Sequence, residues 1–262
     1  MQRRIGHVVI ESISAERSKF TASLVFIPGL WCTGAAWRNF MGYFAHRGWD
    51  CCALTLRGHA DAGTPMPIGR VRWAEHLSDV AAAIGACPAP PVVIGHDVGA
   101  ALILQSHLVP VRARVALAPV VPAVTATWKH SVSSLQARLA MRWSRPLPVP
   151  RGALRTEYLA QGAPGGMVRD SGTLARELVN GAVAPIVQTE IPTLIIAGEH
   201  DIFCRAGDLR RLAAEIGAAF LEAANAGHAI PWARGWEKRV SEIHRWLIQT
   251  LGDDLLVPEE DA

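Results

Sequence analysis

The stretch at 92–102 constrains the fold of this chain more strongly than any other part of its sequence. An apolar run at 92–94 leads into Gly95, and after three residues Gly99 opens a second apolar stretch with helical character. This order predicts a buried strand, a tight turn in which the glycines leave room for a crowded backbone, and a helix. The residue at the centre of the turn, Asp97, is expected to project above the end of the strand.

Further apolar runs, rich in Val, Ile or Leu and ending near Gly or Pro, also predict buried strands. The five predicted strands cover 23–27, 50–56, 91–94, 114–118 and 193–197. Helices are predicted between or after them at 37–46, 72–84, 100–108 and 236–251. Strands that alternate with helices predict an α/β fold, in which helices flank a mostly parallel central sheet on both faces.

Residues 125–188 interrupt this alternation, because they contain no convincing strand. They include a proline-rich piece at 145–150 and a glycine-rich piece at 162–166. A long excursion of this kind within a compact domain is usually functional. The sequence predicts that 125–188 forms a small helical cap, inserted into a core made by 1–124 and 189–262. An ordinary crossover with a long loop is the alternative.

Composition limits the classes of function that fit the chain. Its 262 residues, half of them apolar, suit a single domain. The net charge is only +3 and no run of five Lys or Arg occurs, which argues against nucleic acid or a membrane surface as a partner. Five scattered cysteines and no apolar leader favour a reduced, cytoplasmic location without a metal site. No nucleotide-binding glycine motif follows a strand, so no cofactor is expected. The expected partner is a small-molecule substrate, and a homodimer is left open.

The turn that contains Asp97 is typical of a nucleophile elbow, which lifts one reactive side chain above a sheet. The amide end of the following helix favours negative charge at this position. We therefore predict that Asp97 is a nucleophile. The alternative is an aspartate that only caps the helix.

A second turn, Pro28-Gly29, follows the predicted strand at 23–27. Beside the elbow, this turn predicts that the backbone N–H groups of Leu30 and Val98 point at one spot. Donors that meet a developing oxyanion are often the largest single contribution to catalysis. Without the elbow, the same residues would indicate only a turn at the end of a strand.

Two later turns supply candidates for the remaining catalytic residues. Asp201 lies just beyond the predicted strand at 193–197, where sites of parallel sheets form, and Glu199 is its rival. His228 follows a glycine and precedes the last helix, so the chain order is nucleophile, acid and histidine. His96 and His200 adjoin the candidate catalytic positions, and we expect both to contact the catalytic residues.

These features resemble the α/β-hydrolase superfamily over nearly the whole chain outside the cap, including the Arg57-Gly58 loop after the second predicted strand. The Gly-His-Asp-x-Gly elbow resembles haloalkane dehalogenases, fluoroacetate dehalogenases and epoxide hydrolases. In those families the aspartate attacks carbon, and the resulting ester is hydrolysed. The chain departs from each: Val98 stands where haloalkane dehalogenases carry Trp, the elbow lacks an Arg, and the cap holds one tyrosine, Tyr158, where epoxide hydrolases present two.

An aspartate is already ionised at neutral pH and can displace a leaving group from saturated carbon, whereas attack on an ester carbonyl would give an unstable anhydride. We therefore predict a hydrolase of a small to medium apolar substrate, of the epoxide-hydrolase or dehalogenase type. His228 would activate water. Four aromatic residues are candidates for substrate binding or leaving-group protonation: Trp31, Trp128, Trp143 and Tyr158. The alternatives are an ester, thioester or lactone hydrolase, and a non-hydrolytic lyase, cyclase or binding protein of the same fold.

Overall fold

The computed structural model describes residues 1–59, 67–105, 110–160, 162–181 and 190–256. An eight-stranded sheet forms its centre, with the strand order β1-β2-β4-β3-β5-β6-β9-β10. These strands are β1 (Gln2–Ile5), β2 (Val8–Ile13), β3 (Leu24–Ile27), β4 (Cys51–Thr55), β5 (Val92–His96), β6 (Ala113–Leu117), β9 (Thr193–Gly198) and β10 (Ala219–Ala223). Strands β1 to β2 and β2 to β4 pair antiparallel, and all other neighbours pair parallel.

The helices of the described residues lie mainly between these strands. They are α1 (Arg38–Ala45), α2 (Trp73–Gly85), α3 (Val98–Gln105), α4 (Thr125–Trp128), α5 (Leu135–Arg142), α6 (Gly152–Leu159), α7 (Gly172–Val179), α8 (Ala206–Ile216) and α9 (Trp236–Leu251). Short 3-10 turns cover Gly34–Trp37, Ile68–Arg70, Lys129–Val132 and Gly252–Leu255. None of the helices within the described ranges combines the length and apolar character that crossing a bilayer requires.

The middle strands β3, β5 and β6 are buried along their whole length. Helices can cover both faces of a parallel sheet, which explains why these strands are continuous apolar runs rather than alternating ones. The predicted α/β fold with a mostly parallel sheet is therefore confirmed. Sequence patterns did not predict β1 and β2, because β1 is exposed and carries charged side chains at the edge of the sheet.

Between β6 and β9 the chain forms α4 to α7 and a small antiparallel ribbon of β7 (Pro146–Leu147) and β8 (Asp170–Ser171). The division into a core and a cap at 125–188 remains a prediction, and 161 and 182–188 lie outside the described residues. The helix predicted at 100–108 begins earlier, at Val98, because the elbow turn passes directly into it. Its predicted end at 106–108 lies outside the described residues.

Candidate active site

Asp97 occupies the turn between β5 and α3 with a backbone φ of 55°, a left-handed conformation that non-glycine residues adopt at a cost. Three hydrogen bonds to its backbone hold this geometry. Its N–H donates to the carbonyl of Leu117 at 2.9 Å, and its carbonyl accepts from the N–H groups of Ala101 and Val120 at 3.1 and 3.2 Å. The turn also needs a glycine at position 99, because an added Cβ there would lie 2.4 Å from the backbone oxygens of Ile27 and Pro28. The sequence pattern around Asp97 thus corresponds to a tightly packed turn.

The Asp97 carboxylate is fully buried and has different partners on its two oxygens. Oδ2 accepts a hydrogen bond of 2.8 Å from the backbone N–H of Leu30. Oδ1 accepts one of 2.7 Å from the Tyr158 hydroxyl and lies 3.6 Å from Nε2 of His228. The carboxylate therefore faces a backbone donor on one side, and a hydroxyl and an imidazole on the other.

His228 is held from behind by Asp201, whose Oδ2 lies 2.8 Å from the imidazole Nδ1. The other oxygen of Asp201 accepts hydrogen bonds from the backbone N–H groups of Phe203 and Cys204, at 2.8 and 2.9 Å. Glu199, the rival candidate, instead accepts from the backbone N–H of Asn225 at the surface. Asp201 is thus the carboxylate that orients the histidine ring.

Asp201 and Asp97 favour the charged form of His228, and His228 favours the charged form of Asp97. Burial alone would lower the pKa of His228, but the charges and hydrogen bonds of Asp201, together with Asp97, raise it well above its ordinary value. Burial alone would raise the pKa of Asp97, but His228, with His96 and Tyr158, holds it below its usual range. The resting site therefore holds an imidazolium between two carboxylates.

Tyr158 on α6 links the segment between β6 and β9 to the elbow. Its hydroxyl accepts a hydrogen bond of 2.9 Å from Nε1 of Trp128 while it donates to Asp97. Its ring centroid lies 4.1 Å from that of His228. Burial and the Asp97 charge raise the pKa of Tyr158 well above its ordinary value, so the phenol is protonated and available as a donor.

His96, directly before Asp97, contacts the backbone of His228. Its Nε2 lies 2.8 Å from the His228 carbonyl, an acceptor, so Nε2 carries the ring hydrogen. Burial, followed by the charge of His228, lowers the pKa of His96 to about 4, which keeps the ring neutral at pH 7. The matching expectation for His200 is wrong: its side chain is 64% exposed, and Nε2 lies 4.0 Å from the carboxylate of Glu199.

The predicted donor turn is held by Asp170 on β8, a residue that no sequence motif had indicated. Trp31 has a left-handed φ of 61°, and its N–H donates to Oδ2 of Asp170 at 2.8 Å. Oδ1 of Asp170 accepts from the N–H of Ser171, and His59 lies 3.3 Å from Oδ2. Burial alone would raise the pKa of Asp170, but His59 and the other neighbours lower it to about 2.

The structure brings most of the predicted site residues together. Trp31 and Trp128 both contact Tyr158, the former edge-on with a centroid separation of 5.1 Å. Val98 is the first residue of α3, so its N–H lies in the turn that carries Asp97. Trp143 is not part of this cluster, because it follows the end of α5 with 55% of its surface exposed and Arg145 beside its ring.

Two further residues, Phe203 and Cys204, lie near the site but belong to no sequence motif that would have indicated them. The Phe203 ring packs against Tyr158 and His228, with centroid separations of 5.0 and 5.9 Å. Among the residues that the structure describes, Cys204, Asp201 and His228 together offer three atoms of the kind that could bind a metal ion. However, Asp201 and His228 already hydrogen-bond each other at 2.8 Å, which leaves no space for an ion between them. The arrangement instead suits transfer of protons and nucleophilic attack.

Comparison with known proteins indicates the same family as the arrangement of the turns around Asp97. A sequence profile described as the alpha/beta hydrolase family matches residues 24–240, which include the elbow and the turns that carry Leu30, Asp201 and His228. The comparison with curated proteins finds no significant match.

Several solved structures share the fold over nearly their whole length. A monoacylglycerol lipase from Paleococcus ferrophilus has a TM-score of 0.71 and 18% identity, covering 93% of this chain and 99% of its own. A thermophilic esterase from Thermogutta terrifontis has a TM-score of 0.70 and 13% identity, covering 96% and 100%. A soluble variant of monoglyceride lipase from Saccharomyces cerevisiae has a TM-score of 0.72 and 12% identity, covering 95% and 94%. Identities this low indicate a common fold only.

Proposed function

The chain belongs to the alpha/beta hydrolase family, and from this premise we propose that it hydrolyses an apolar epoxide through an alkyl ester of Asp97. The observation that supports this function is the environment of one atom. Oδ1 of Asp97 lies beside both the Tyr158 hydroxyl and Nε2 of His228, while Oδ2 is held by the Leu30 N–H. A nucleophile, an acid and a latent base therefore surround the place where a reacting carbon would enter.

In the first step, the substrate enters between Asp97 and Tyr158, and Oδ1 attacks a ring carbon of the epoxide. The carbon–oxygen bond of the ring breaks, and the oxygen that leaves takes the hydroxyl proton of Tyr158. The phenolate is reprotonated by the His228 imidazolium, which lies beside it. The products of this step are a hydroxyalkyl ester of Asp97 and a neutral His228.

Ester formation itself prepares both proton-transfer groups. After burial, the Asp97 charge raises the pKa of Tyr158, and the hydrogen bond of Asp97 adds to the effect of Asp201 in raising the pKa of His228. That charge disappears when the carboxylate becomes an ester, so Tyr158 becomes a stronger acid and His228 loses its proton more readily. The hydrogen bond from Trp128 stabilises the phenolate that forms for a short time. The site thus changes from nucleophile to general base without a conformational step.

In the second step, His228 takes a proton from water, and the hydroxide attacks the carboxyl carbon of the Asp97 ester. The oxyanion that forms at Oδ2 would be stabilised by the N–H of Leu30 and, in this proposal, that of Val98. Collapse releases the diol, whose new hydroxyl receives the proton of the added water oxygen. Asp97 returns as a carboxylate beside the His228 imidazolium, and Asp201 stabilises that cation throughout.

An epoxide fits this site better than an alkyl halide. A leaving alkoxide must be protonated. The Tyr158 hydroxyl contacts Oδ1 of Asp97, the attacking oxygen, and has a proton that it can donate. A halide leaves as a stable anion and gains little from a buried phenol. The indole N–H of Trp128 is already engaged with Tyr158, so it is not free to hold a halide.

Ester hydrolysis is the second candidate, and the names of the structural neighbours favour it. These include two monoglyceride-type lipases, an esterase and a thioesterase domain from curacin biosynthesis. In this case Asp97 would not bond to substrate but would hold water with His228 for direct attack on the carbonyl. The route of a water oxygen separates the two candidates.

The deciding experiment is a single turnover in heavy-oxygen water with enzyme in excess. Styrene oxide and 1,2-epoxyhexane serve as epoxide probes, and p-nitrophenyl butyrate as the ester probe. The proposal expects heavy oxygen in the peptide that contains Asp97 and an unlabelled diol, because the diol oxygen comes from the carboxylate. Label in the product alone, with an unlabelled peptide, would instead support direct attack by water and overturn the proposal.

A further inference from the structure

An exposed apolar stripe runs along α5, away from the candidate active site residues. Leu135 is 70% exposed, Leu139 39% and Trp143 55%. Their spacing of four residues places them on one side of the helix. The opposite side of α5 carries the buried Ala137 and Ala140 and packs against α7. Single exposed apolar side chains are common on protein surfaces, but a row of three large ones on one helix needs an explanation.

The segment that forms this surface is rich in positive charge and carries no acidic residue. No Asp or Glu occurs between Asp97 and Glu157 in the sequence. Over the stretch at 129–155 every Lys and Arg side chain is exposed; these are Lys129, Arg138, Arg142, Arg145, Arg151 and Arg155. The guanidinium of Arg145 lies 5.3 Å from the centre of the Trp143 ring. We call Leu135, Leu139 and Trp143, with Arg138, Arg142 and Arg145, the α5 face.

We propose that the α5 face docks on the surface of an anionic lipid bilayer. Leucine and tryptophan side chains can enter the boundary between headgroups and acyl chains, while arginines beside them meet the phosphates. A nucleic acid would satisfy the arginines but leave the two leucines without an apolar partner. A second copy of the chain would bring the same positive charges together, which opposes association through this face.

This proposal revises the expectation that a membrane surface is not a partner. That expectation rested on the absence of contiguous basic residues. The arginines of the α5 face are instead separated by apolar residues at helical spacing, so the patch exists only once the helix has formed. Docking at a surface does not require a membrane-spanning helix, and it does not depend on which reaction Asp97 performs.

The test uses the full chain and extruded vesicles, either pure phosphatidylcholine or phosphatidylcholine with about a third phosphatidylglycerol. Co-sedimentation is measured at about 50 and about 500 mM NaCl, because screening by salt removes most surface attraction over roughly this range. We expect at least about tenfold stronger partitioning to the anionic vesicles at low salt. Leu135→Ser/Leu139→Ser and Arg138→Gln/Arg142→Gln should each remove most of this binding.

A matched control separates the α5 face from net charge. Arg3→Gln/Arg4→Gln removes the same charge from exposed positions on β1 and should bind vesicles like the unmodified chain. Equal loss in this control, or equal binding to neutral and anionic vesicles, would overturn the proposal. So would preferential binding of a DNA duplex, or a dimer that disappears in the Leu135→Ser/Leu139→Ser variant. Circular dichroism checks that each variant is folded.

Discussion

The N–H of Trp31 donates a 2.8 Å hydrogen bond to the carboxylate of Asp170, 139 positions later in the chain. This bond ties the turn that carries the Leu30 donor to β8, in the segment between β6 and β9. Trp31 has a left-handed backbone conformation, which costs free energy unless its surroundings hold it. The position of the Leu30 N–H against Asp97 thus depends on a buried carboxylate that takes no part in bond making.

Replacing Asp170 with Asn should therefore affect both stability and rate. The pKa of about 2 for Asp170 implies roughly 2 kcal/mol of stabilisation at neutral pH, which is lost as the pH falls through the folded value. A loosened Leu30–Trp31 turn should also lower kcat about tenfold or more, with a smaller change in KM. Urea unfolding and steady-state kinetics measure the two effects. Asp208→Asn on α8 is the control, and an unchanged kcat in Asp170→Asn would refute the positioning role.

Tyr158→Phe should reduce turnover of epoxides by about 10²–10⁴-fold, because the leaving oxygen loses its proton donor. The phenyl ring keeps the packing against His228 and Phe203, so the variant should remain folded. The comparison with p-nitrophenyl butyrate is informative, since ester cleavage does not need this donor. A variant that loses both activities equally would indicate a structural role for Tyr158.

His228→Gln should separate the two chemical steps. Attack by Asp97 needs no base, whereas hydrolysis of the ester needs His228 to accept a proton from water. Intact-protein mass spectrometry after mixing with styrene oxide should find one added substrate per chain, which persists for minutes to hours. Asp97→Asn is the matched control and should acquire no adduct. Rapid multiple turnover by His228→Gln would exclude its proposed role as base.

Gly29→Ala should abolish activity while leaving the sheet intact. An added Cβ at this position would lie 2.7 Å from Cβ and 2.8 Å from Oδ2 of Asp97, so the carboxylate must move away from the Leu30 N–H. A displacement of about 1 Å in a reacting group can cost about 10²-fold in rate. Gly42→Ala on α1, where no atom lies within 4 Å of the added Cβ, should keep full activity. Rates and thermal unfolding of both variants test this prediction.

Two buried histidines should make the protein sensitive to mild acid. The pKa values of His76 and His96 are lowered to about 4, mainly by burial, from an unfolded value near 6.5. Between these values the unfolded chain binds more protons, so the contribution of these two residues to the free energy of unfolding is at its full value above about pH 6.5. It should fall by roughly 2–3 kcal/mol per pH unit towards pH 4.

This loss is measured by urea unfolding at about pH 7.5 and at about pH 5, which is near the middle of the window between the folded and unfolded pKa values. His76→Gln should reduce the slope by about half, because one of the two groups no longer titrates. His130→Gln, at an exposed position, should leave the slope unchanged. A free energy of unfolding that does not depend on pH over this window would contradict the prediction.

The fold and the main chemical residues could be predicted because they depend on local sequence. The elbow needs a strand, two glycines and a helix within a dozen residues, and the parallel strands are uninterrupted apolar runs. Asp201 follows a predicted strand and His228 precedes the predicted last helix, in the expected chain order, and the structure places Oδ2 of Asp201 2.8 Å from Nδ1 of His228. In each case, a short pattern specifies the position of a side chain.

The remaining site residues depend on contacts that no local pattern encodes. Asp170 lies in a stretch without a motif, and its contact with Trp31 joins distant parts of the chain. Tyr158 was one of several aromatic candidates, and only the folded chain, in which its hydroxyl contacts Asp97 and its ring contacts His228, distinguishes it from Trp143. The α5 face was missed for a related reason, since its arginines and leucines form one surface only after folding.

The complete burial of Asp97, His228 and Tyr158 has a kinetic consequence. Every molecule that reaches the nucleophile must first wait for the site to open, so encounter with a dissolved electrophile is not sufficient for alkylation. Labelling by a reactive probe should then level off at the opening rate as the probe concentration rises, whatever the intrinsic reactivity of the probe. A buried nucleophile of this kind is protected from bystander alkylating agents that would modify an open carboxylate.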